Sequence, residues 1–243
     1  MPSDLLPEFN ELWEETLHWK PTRLQFKQWN QLYQEIISAN RKINLTRITN
    51  SDDFMEKHLW DSLVGIDKKI ININSHLKVI DIGTGGGFPG IPVAITYPTL
   101  QVTLLDSIIK KIKFINFVLE KLKINNCQTL IGRSETVGHM KEHRETYNLA
   151  LIRAVGTPSV CAEYTLPFLK IGGIAVLYRG HWYDGDKFTL QPALRKLGGK
   201  IISIKTIETP LTQSVRNFIY IKKISKTTRQ FPRQVGMVTQ NPL

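Results

Sequence analysis

The chain has 243 residues, 42% of them apolar, which is enough to bury one substantial core. It contains neither a basic segment leading into an apolar run at its start nor about 18 consecutive apolar residues, so we expect a cytoplasmic protein that is neither secreted nor inserted in a membrane. The formal net charge of +11 favours a polyanionic partner, although a biased genome produces the same excess of lysine without any nucleic-acid role.

The first part of the chain is predicted to be helical. Apolar residues recur at helical spacing from Leu5 to Trp19, and Thr22 is a candidate N-cap for a second helix that ends near Asn40. A third helix is predicted after Ser51. We assign residues 1–75 to an N-terminal helical segment packed on the core. The second helix carries an apolar stripe that we interpret as core-facing, formed by Phe26, Trp29, Leu32, Tyr33, Ile36 and Ile37.

Short β-rich runs alternate with amphipathic stretches in residues 76–225, which predicts an α/β domain with a doubly wound parallel sheet. The last two runs are too close together for a crossover helix, so they should pair as an antiparallel hairpin. Seven strands with one reversed at the edge is the Rossmann-like arrangement of S-adenosylmethionine methyltransferases. The predicted strands are Lys78–Ile82, Val102–Leu105, Gln128–Ile131, Leu149–Arg153, Ile174–Tyr178, Lys200–Ile207 and Phe218–Ile224.

A glycine-rich turn follows the first predicted strand and opens a helix. Gly83, Gly85 and Gly87 allow a sharp turn and the close approach of a ligand to the backbone, as in nucleotide-type sites. Asp81, just before the glycines, is placed to orient the turn and to face the amino-acid part of a cofactor. The glycines also satisfy the dinucleotide fingerprint, so a NAD-dependent oxidoreductase is an alternative, which Asp81 and the lack of a convincing catalytic arrangement disfavour.

Further polar residues stand at the carboxyl ends of the next two predicted strands. Asp106 ends the second strand close to the spacing, about 20 residues, expected of a carboxylate that binds ribose hydroxyls. A helix N-cap is the alternative for Asp106, and Ser107 serves that role equally well. Ser134 and Glu135 follow the third strand, where side chains line the adenine pocket of such a fold, with a capping box or solvated polarity as the alternative.

Several motifs together resemble one family. The specific ones are Gly87-Phe-Pro-Gly-Ile-Pro and His58-Leu-Trp-Asp-Ser-Leu. Corroborating segments are Asn44-Leu-Thr, Leu105-Asp-Ser, Ile152-Arg-Ala and the ending Phe231-Pro-Arg-Gln-Val-Gly with a terminal Pro-Leu. The chain resembles, over nearly its whole length, the bacterial small-subunit ribosomal RNA guanine-N7 methyltransferases, known as RsmG or GidB.

The resemblance implies methyl transfer from S-adenosyl-L-methionine to N7 of a guanine, in small-subunit ribosomal RNA or an assembling small subunit, by a monomer. A non-catalytic RNA-binding ribosome-assembly protein is a second alternative, which the intact glycine turn and Asp106 disfavour. One departure is Arg179-Gly180, where the family often has Lys-Gly. The family's cofactor contacts carry over onto Gly83, Gly85, Phe88, Asp106, Ser107, Ser134, Glu135 and Arg153.

The implied chemistry requires no general base, because guanine N7 holds an exposed lone pair that attacks a sulfonium methyl directly. No residue is therefore assigned as catalytic. Arg153 is expected to bind cofactor or RNA phosphate, with a charge that only balances Glu135 as the alternative. It is not expected to bind N7 itself, whose lone pair must stay free. His58 and Asp61, three residues apart, either order the substrate side or form a structural pair.

Basic residues cluster where RNA should arrive. Lys110, Lys111 and Lys113 begin the helix after Asp106, where they oppose the helix dipole unless a phosphate offsets them. Residues 226–243 are assigned to a basic C-terminal tail, for which a solvated, disordered segment is the alternative. The basic residues of the ending are Lys222, Lys223, Lys226, Arg229 and Arg233.

The chain has two cysteines, Cys127 and Cys161, which lie far apart in apolar stretches. Neither has a His or Cys partner at metal-ligand spacing. We interpret both as buried, reduced thiols and expect no metal site.

Overall fold

A computed structural model describes residues 5–73 and 76–243 of the chain. The boundary predicted between residues 75 and 76 lies partly outside the described residues. Within these ranges no helix is both long and apolar enough to cross a bilayer.

The centre of the molecule is a seven-stranded mixed sheet with the strand order β3-β2-β1-β4-β5-β7-β6. Every predicted strand is present, and most extend by one to a few residues beyond the predicted bounds. The strands are β1 (Lys78–Ile82), β2 (Gln101–Asp106), β3 (Cys127–Ile131), β4 (Tyr147–Arg153), β5 (Leu169–Arg179), β6 (Gly199–Glu208) and β7 (Val215–Lys223).

The predicted α/β class and the antiparallel hairpin between β6 and β7 are confirmed. One detail of the prediction is wrong: the reversed strand β7 lies between β5 and β6, so the edge strand is β6. The reason is that β7 is long and apolar enough to pair on both sides, antiparallel to β5 as well as to β6. The more polar β6 consists mostly of partly buried and exposed positions, which suits an edge.

The helices precede the sheet and then alternate with its strands. Ser51–Phe54 continues through a π-helical stretch, Met55–Trp60, into the next helix. A 3₁₀ turn, Leu166–Phe168, leads into β5. The α-helices are α1 (Asn10–Leu17), α2 (Arg23–Ile43), α3 (Ser51–Phe54), α4 (Asp61–Val64), α5 (Gly90–Thr96), α6 (Ile109–Lys121), α7 (Ser134–Val137), α8 (Pro158–Thr165), α9 (Asp184–Leu197) and α10 (Met237–Gln240).

The second predicted helix is confirmed with its cap, because Thr22 and Gln25 form a capping box. It ends at Ile43, a few residues past the predicted end, where Asn44 takes a left-handed conformation. The first helix is shorter than predicted. Its start is delayed because Leu6 donates its N–H to the Asn30 side chain and Phe9 has a positive φ, neither of which fits a helix beginning at residue 5.

Successive side chains of a strand point to opposite faces of the sheet, and each face is covered by different parts of the chain. On one face Val79, Leu149 and Val176 pack with α1 to α6 in the first core cluster. On the other face Ile80 and Ile152 pack with α8, α9 and the C-terminal residues in the second cluster. The N-terminal and C-terminal segments therefore cover opposite faces.

Two adjoining candidate cavities at the carboxyl edge of the sheet

The glycine turn is folded back onto the end of β2. The backbone N–H groups of Gly83 and Thr84 both donate to the Leu105 carbonyl, at 2.9 and 3.0 Å. Gly83 and Gly87 have φ of +69° and +98°, which a side chain would strain. A Cβ on Gly87 would also lie 2.3 Å from Ile91 Cδ1. The turn therefore needs glycine for its own shape.

Asp81 holds this turn from within. Its Oδ2 accepts hydrogen bonds from Thr84 Oγ1 at 2.6 Å and from the N–H of Gly90 at 2.9 Å. The carboxyl is fully buried, and burial raises its pKa to about 6, against the lowering effect of the two hydrogen bonds. Asp81 thus ties the glycine turn to the start of α5.

Asp106 links the glycine turn to the next helix. Its Oδ2 accepts the N–H of Gly85 at 2.9 Å, and its Oδ1 accepts the N–H of Ile108 at 2.9 Å. A carboxylate offers about four acceptor positions, so these two bonds leave capacity for two hydroxyl donors. The Asp106 carboxylate thus accepts the backbone N–H groups of the glycine turn and of the loop ahead of α6. It still has the acceptor positions that two ribose hydroxyls require.

A first cavity of about 240 Å³ opens beside this turn, at the carboxyl ends of β1 to β4. Apolar walls come from Ile82, Leu105 and Val155. Polar groups come from neighbouring loops, and the C-terminal segment contributes Thr239. The cavity brings together the sequence-predicted residues Gly83, Asp106, Ser107, Ser134 and Glu135.

The first cavity fits a nucleoside cofactor on the chemistry of its groups. Gly83 and Gly132 line it without side chains, and both have positive φ. A Cβ on Gly83 would approach Val155 Cγ2, across the same cavity, to 3.0 Å. Open backbone, an acceptor carboxylate at Asp106 and apolar walls are the features that nucleoside sites combine.

Ser134 and Glu135 do not form the capping box that is the alternative for them, since α7 has no side-chain cap. Ser134 Oγ donates to the Tyr164 carbonyl at 3.0 Å. Glu135 Oε1 receives the Tyr164 hydroxyl at 3.3 Å and the N–H of Gly236 at 3.2 Å, and the Arg133 guanidinium lies 3.4 Å away. The Glu135 carboxylate thus connects α8 and the C-terminal segment across the cavity wall.

Phe88 and Arg153 lie elsewhere. The Phe88 ring stacks on the His58 imidazole, with centroids 4.3 Å apart and planes 9° apart. The Arg153 guanidinium lies 5.6 Å from the centre of the Phe88 ring. Neither residue lines the first cavity, because both face the N-terminal helical segment.

Arg153 fixes the protonation of His58. Its Nη1 donates to the Lys57 carbonyl at 2.9 Å, and its Nη2 lies 3.1 Å from His58 Nδ1. Burial and the nearby guanidinium hold the pKa of His58 well below its usual value, so the imidazole is neutral. Arginine is only a donor, so Nδ1 must accept and Nε2 must carry the proton, which it donates to Thr46 Oγ1 at 2.7 Å.

Asp61 lies between two guanidinium groups. Its Oδ2 is 3.4 Å from Arg153 Nη1, and its Oδ1 is 3.3 Å from Arg216 Nε on β7. Burial raises the pKa of the Asp61 carboxyl, while both guanidinium groups oppose that rise. The predicted pairing of His58 with Asp61 therefore runs through Arg153.

These groups line a second cavity, of about 680 Å³, between the N-terminal helical segment and the ends of β4 and β5. Ala154 lines this cavity and the next residue, Val155, lines the first, so the two adjoin across the segment after β4. Ala154 has a φ of +57°, a strained conformation of the kind that collects at functional sites. The second cavity is further lined by Arg179, His181, Tyr183 and Arg216.

The basic ending does not lie in solvent as a whole. Lys223 is fully buried and donates to the carbonyls of Leu166 and Leu197, at 2.8 and 3.3 Å, and burial lowers its pKa to about 8. Arg233 is paired with the buried Glu163. The sequence predicts Lys223 and Arg233 as RNA contacts. For Lys223 the prediction is wrong, because its ammonium group is enclosed by protein carbonyls. Lys222, Lys226 and Arg229 are exposed.

The cysteines are free thiols. Cys161 is buried as predicted, and burial raises its pKa to about 12. Cys127, at the start of β3, is only partly buried. Within residues 5–73 and 76–243, no group of three or more His, Cys, Asp or Glu side chains is arranged to hold a metal ion.

The family model and close relatives that match this chain carry the same family name. Residues 25–219 match the family model GidB, described as rRNA small subunit methyltransferase G. Proteins named ribosomal RNA small subunit methyltransferase G from Trichormus variabilis and Nostoc punctiforme are 51% and 50% identical, each over 99% of this chain and 100% of the relative. Among solved structures, TYW2 from M. jannaschii in complex with AdoMet has a TM-score of 0.54 at 18% identity, over 73% of this chain and 80% of that one, which supports the fold.

Proposed function

The chain belongs to the rRNA small subunit methyltransferase G family, and we propose that it transfers a methyl group from S-adenosylmethionine to N7 of a guanine in small-subunit ribosomal RNA. The observation that carries the proposal is the pair of cavities at the carboxyl edge of the sheet, which the segment Ala154-Val155 borders on both sides. Two substrates must meet in any group transfer, and open α/β sheets bind their ligands at this edge.

The first cavity is assigned to the cofactor. The remaining acceptor positions of Asp106 take the ribose hydroxyls, and the open backbone at Gly83 faces the amino-acid part. Ser107, Ser134 and Glu135 belong to the same wall and complete the nucleoside site. Gly85 contributes indirectly, because its N–H holds Asp106 in position. The bound cofactor supplies an electrophilic sulfonium methyl group.

The second cavity is assigned to the guanine, and Arg153, which lines it, is reassigned to it. Phe88 does not line this cavity but supports it through its stacking on His58. Its arginines carry positive charge toward an RNA backbone. The His181 and Tyr183 rings stand 6.1 Å apart and nearly parallel, and Tyr183 is 67% exposed. The major groove of an A-form RNA helix is too narrow for side chains to reach N7, so the guanine must be taken from a single-stranded or unstacked position. Exposed aromatic rings supply the stacking that such a base loses.

The residues around the second cavity position groups and need not remove a proton. Guanine N7 attacks with a lone pair and has no proton to lose. Neutral His58 already accepts from Arg153 and donates to Thr46, so its role is to hold the guanidinium and the Phe88 ring in place. Holding two reactants in line contributes roughly 7–11 kcal/mol in favourable cases.

The family relationship favours this reaction over the NAD-dependent oxidoreductase that the glycine turn also allows. We propose that residues 1–75 and 226–243 act as a helical segment and a basic tail around a methyltransferase domain at 76–225. We further propose that the protein works in the cytoplasm as a monomer on ribosomal RNA or an assembling small subunit. The molar mass of the purified protein in solution, measured by light scattering, tests whether it is a monomer.

The proposed reaction is tested by methyl transfer from labelled S-adenosylmethionine to small ribosomal subunits from cells that lack the endogenous enzyme. The product nucleoside is then identified by mass spectrometry, with protein-free ribosomal RNA as a second substrate. Labelled N7-methylguanosine is the expected product. A different methylated nucleoside, or no transfer to either substrate, would contradict the proposal.

A further inference from the structure

The C-terminal segment is fixed to the domain by contacts that leave its path little freedom. The Arg144 guanidinium donates to the carbonyls of Thr227, Thr228 and Phe231, at 2.8, 3.1 and 2.8 Å. His139 Nε2 lies 2.7 Å from the Pro232 carbonyl. A single side chain that satisfies several carbonyls in succession holds an irregular segment that has no ladder of its own.

A buried ion pair holds the same segment one step further along. Glu163 on α8 is fully buried, and its Oε2 is 2.7 Å from Arg233 Nη2. Its Oε1 also accepts the Arg233 backbone N–H at 2.8 Å and the Arg233 Nε at 3.0 Å. Such a fork between a guanidinium and a carboxylate fixes direction as well as position. Val238 is then buried in the second core cluster.

Beyond this ion pair the segment reaches the first cavity. The Gly236 N–H donates to Glu135 Oε1, and Thr239 lines the cavity together with Asp106 and Glu135. Thr239 is itself exposed, so it forms an outer wall and not part of the core. None of the hydrogen bonds or ion pairs formed among residues 5–73 and 76–243 uses Glu135 Oε2, which leaves that oxygen available as an acceptor.

We propose that residues 233–240 form the outer wall of the cofactor cavity, held there by Glu163 and Glu135, and that the order of this wall and the binding of S-adenosylmethionine are coupled. The inference rests on the proposed function, because it assigns the first cavity to that cofactor. Thr239 contacts the bound nucleoside, and Glu135 acts as a positioning residue for the wall. Coupling of this kind is reciprocal, so the cofactor stabilises the wall as much as the wall strengthens binding.

The first test is calorimetric titration of the intact chain with S-adenosylmethionine. Glu163→Gln removes the charge that holds Arg233 without touching the cavity, and should weaken binding about 10-fold, the size of a lost charge-assisted contact. Thr239→Glu leaves the ion pair intact and adds charge and bulk at the wall, and should weaken binding about 5-fold. Gln230→Glu adds the same charge at an exposed position of the C-terminal segment that lies outside residues 233–240 and outside the cavity, and should bind as the wild type does.

The second test is tryptic cleavage after Lys226, Arg229 and Arg233, followed by mass spectrometry. Saturating S-adenosylmethionine should slow cleavage at these sites at least about 5-fold in the wild type and less in Glu163→Gln. Equal cleavage with and without the cofactor, or wild-type affinity in both variants, would overturn the inference. Failure of the wild type itself to bind S-adenosylmethionine would instead overturn the proposed function.

Discussion

The two ends of the chain cover opposite faces of one sheet and complete different cavities. The N-terminal segment is helical and borders the second cavity through Lys57, His58 and Asp61. The C-terminal segment is largely irregular and borders the first cavity through Thr239. A cavity wall can therefore be built from a regular, periodic segment or from an irregular one held by single polar contacts. Under the proposed assignment, the guanine lies on the N-terminal side and the cofactor on the C-terminal side.

The largest effect that separates the two sides is expected from Asp106→Ala. Two charge-assisted hydrogen bonds to ribose hydroxyls would be lost, and the N–H groups of Gly85 and Ile108 would lose their acceptor. Affinity for S-adenosylmethionine should fall on the order of 100-fold, or about 2.7 kcal/mol, by calorimetry. Asp52→Ala, on the exposed start of α3, is the control and should bind normally. Unchanged affinity in Asp106→Ala would remove the ribose assignment.

Asp61→Asn tests the N-terminal side. The change leaves two guanidinium groups, Arg153 and Arg216, without a charged partner beside the second cavity. Methyl transfer to ribosomal RNA should fall on the order of 10-fold, while affinity for S-adenosylmethionine stays within about 2-fold.

The matched control for Asp61→Asn is Asp67→Asn, which removes another contact between the N-terminal segment and the hairpin, the ion pair with Lys205. Asp67 does not line the second cavity. Its loss should leave methyl transfer near the wild-type rate. A loss of cofactor affinity in Asp61→Asn, equal to its loss of transfer, would contradict the division between the two cavities.

A pH-dependent effect is expected from His58, whose pKa is held well below 6.5 in the folded protein. The unfolded chain takes up a proton there as the pH falls below about 6.5 while the folded chain does not, so stability is lost on acidification. The limiting slope for one proton is about 1.4 kcal/mol per pH unit. His58→Gln should lose less stability than the wild type between pH 7.5 and 5.5, measured by urea unfolding.

Asp81 has the opposite effect on the free energy of unfolding in the same pH range. Because its pKa is about 6 in the folded chain, the folded chain holds a proton that the unfolded chain releases, so acidification adds stability at this site. The comparison with His58→Gln isolates the imidazole because Asp81 is present in both proteins. His18→Gln, at an exposed position beyond α1, is the control. Parallel pH profiles for His58→Gln and the wild type would refute the neutral, buried imidazole.

The smallest effect is expected from Lys113→Ala on α6, an exposed lysine assigned to RNA phosphate. Affinity for ribosomal RNA should fall a few-fold, and the dependence of log affinity on log salt should lose about one unit of slope. Lys170→Ala is the control, because Lys170 lies at the start of β5, at the opposite edge of the sheet from the cavities. An equal loss in both variants would indicate that general charge, not a contact at α6, attracts the RNA.

The sequence predicts well those features that leave a periodic or a local signal. The strands are short apolar runs, and the carboxyl ends of parallel strands meet at one edge, so the sequence alone places Gly83, Asp106 and Ser134 near one another, as the first cavity confirms. The second helix carries both an apolar stripe on one face and an N-cap residue at its start. Each of these signals lies within a few residues of the feature that it predicts.

Features that rest on contacts between distant residues escape prediction. Arg233 pairs with Glu163, 70 residues away, and Arg144 binds Thr227, 83 residues away. Neither pairing leaves a pattern in the sequence, so the sequence predicts only a basic tail at this end. The buried apolar residues Phe231 and Val238 are the signal that a docked segment gives. The position of Arg153 is likewise decided by the N-terminal segment, through Lys57 and His58.

The assignment of the two cavities is tested most directly by amide hydrogen exchange with and without S-adenosylmethionine. If the first cavity holds the cofactor and the second the guanine, exchange should slow in residues 83–87, 132–136 and 233–240, with no change in residues 180–186 until ribosomal RNA is added. Protection of residues 180–186 by the cofactor alone, with none at the glycine turn, would contradict this assignment.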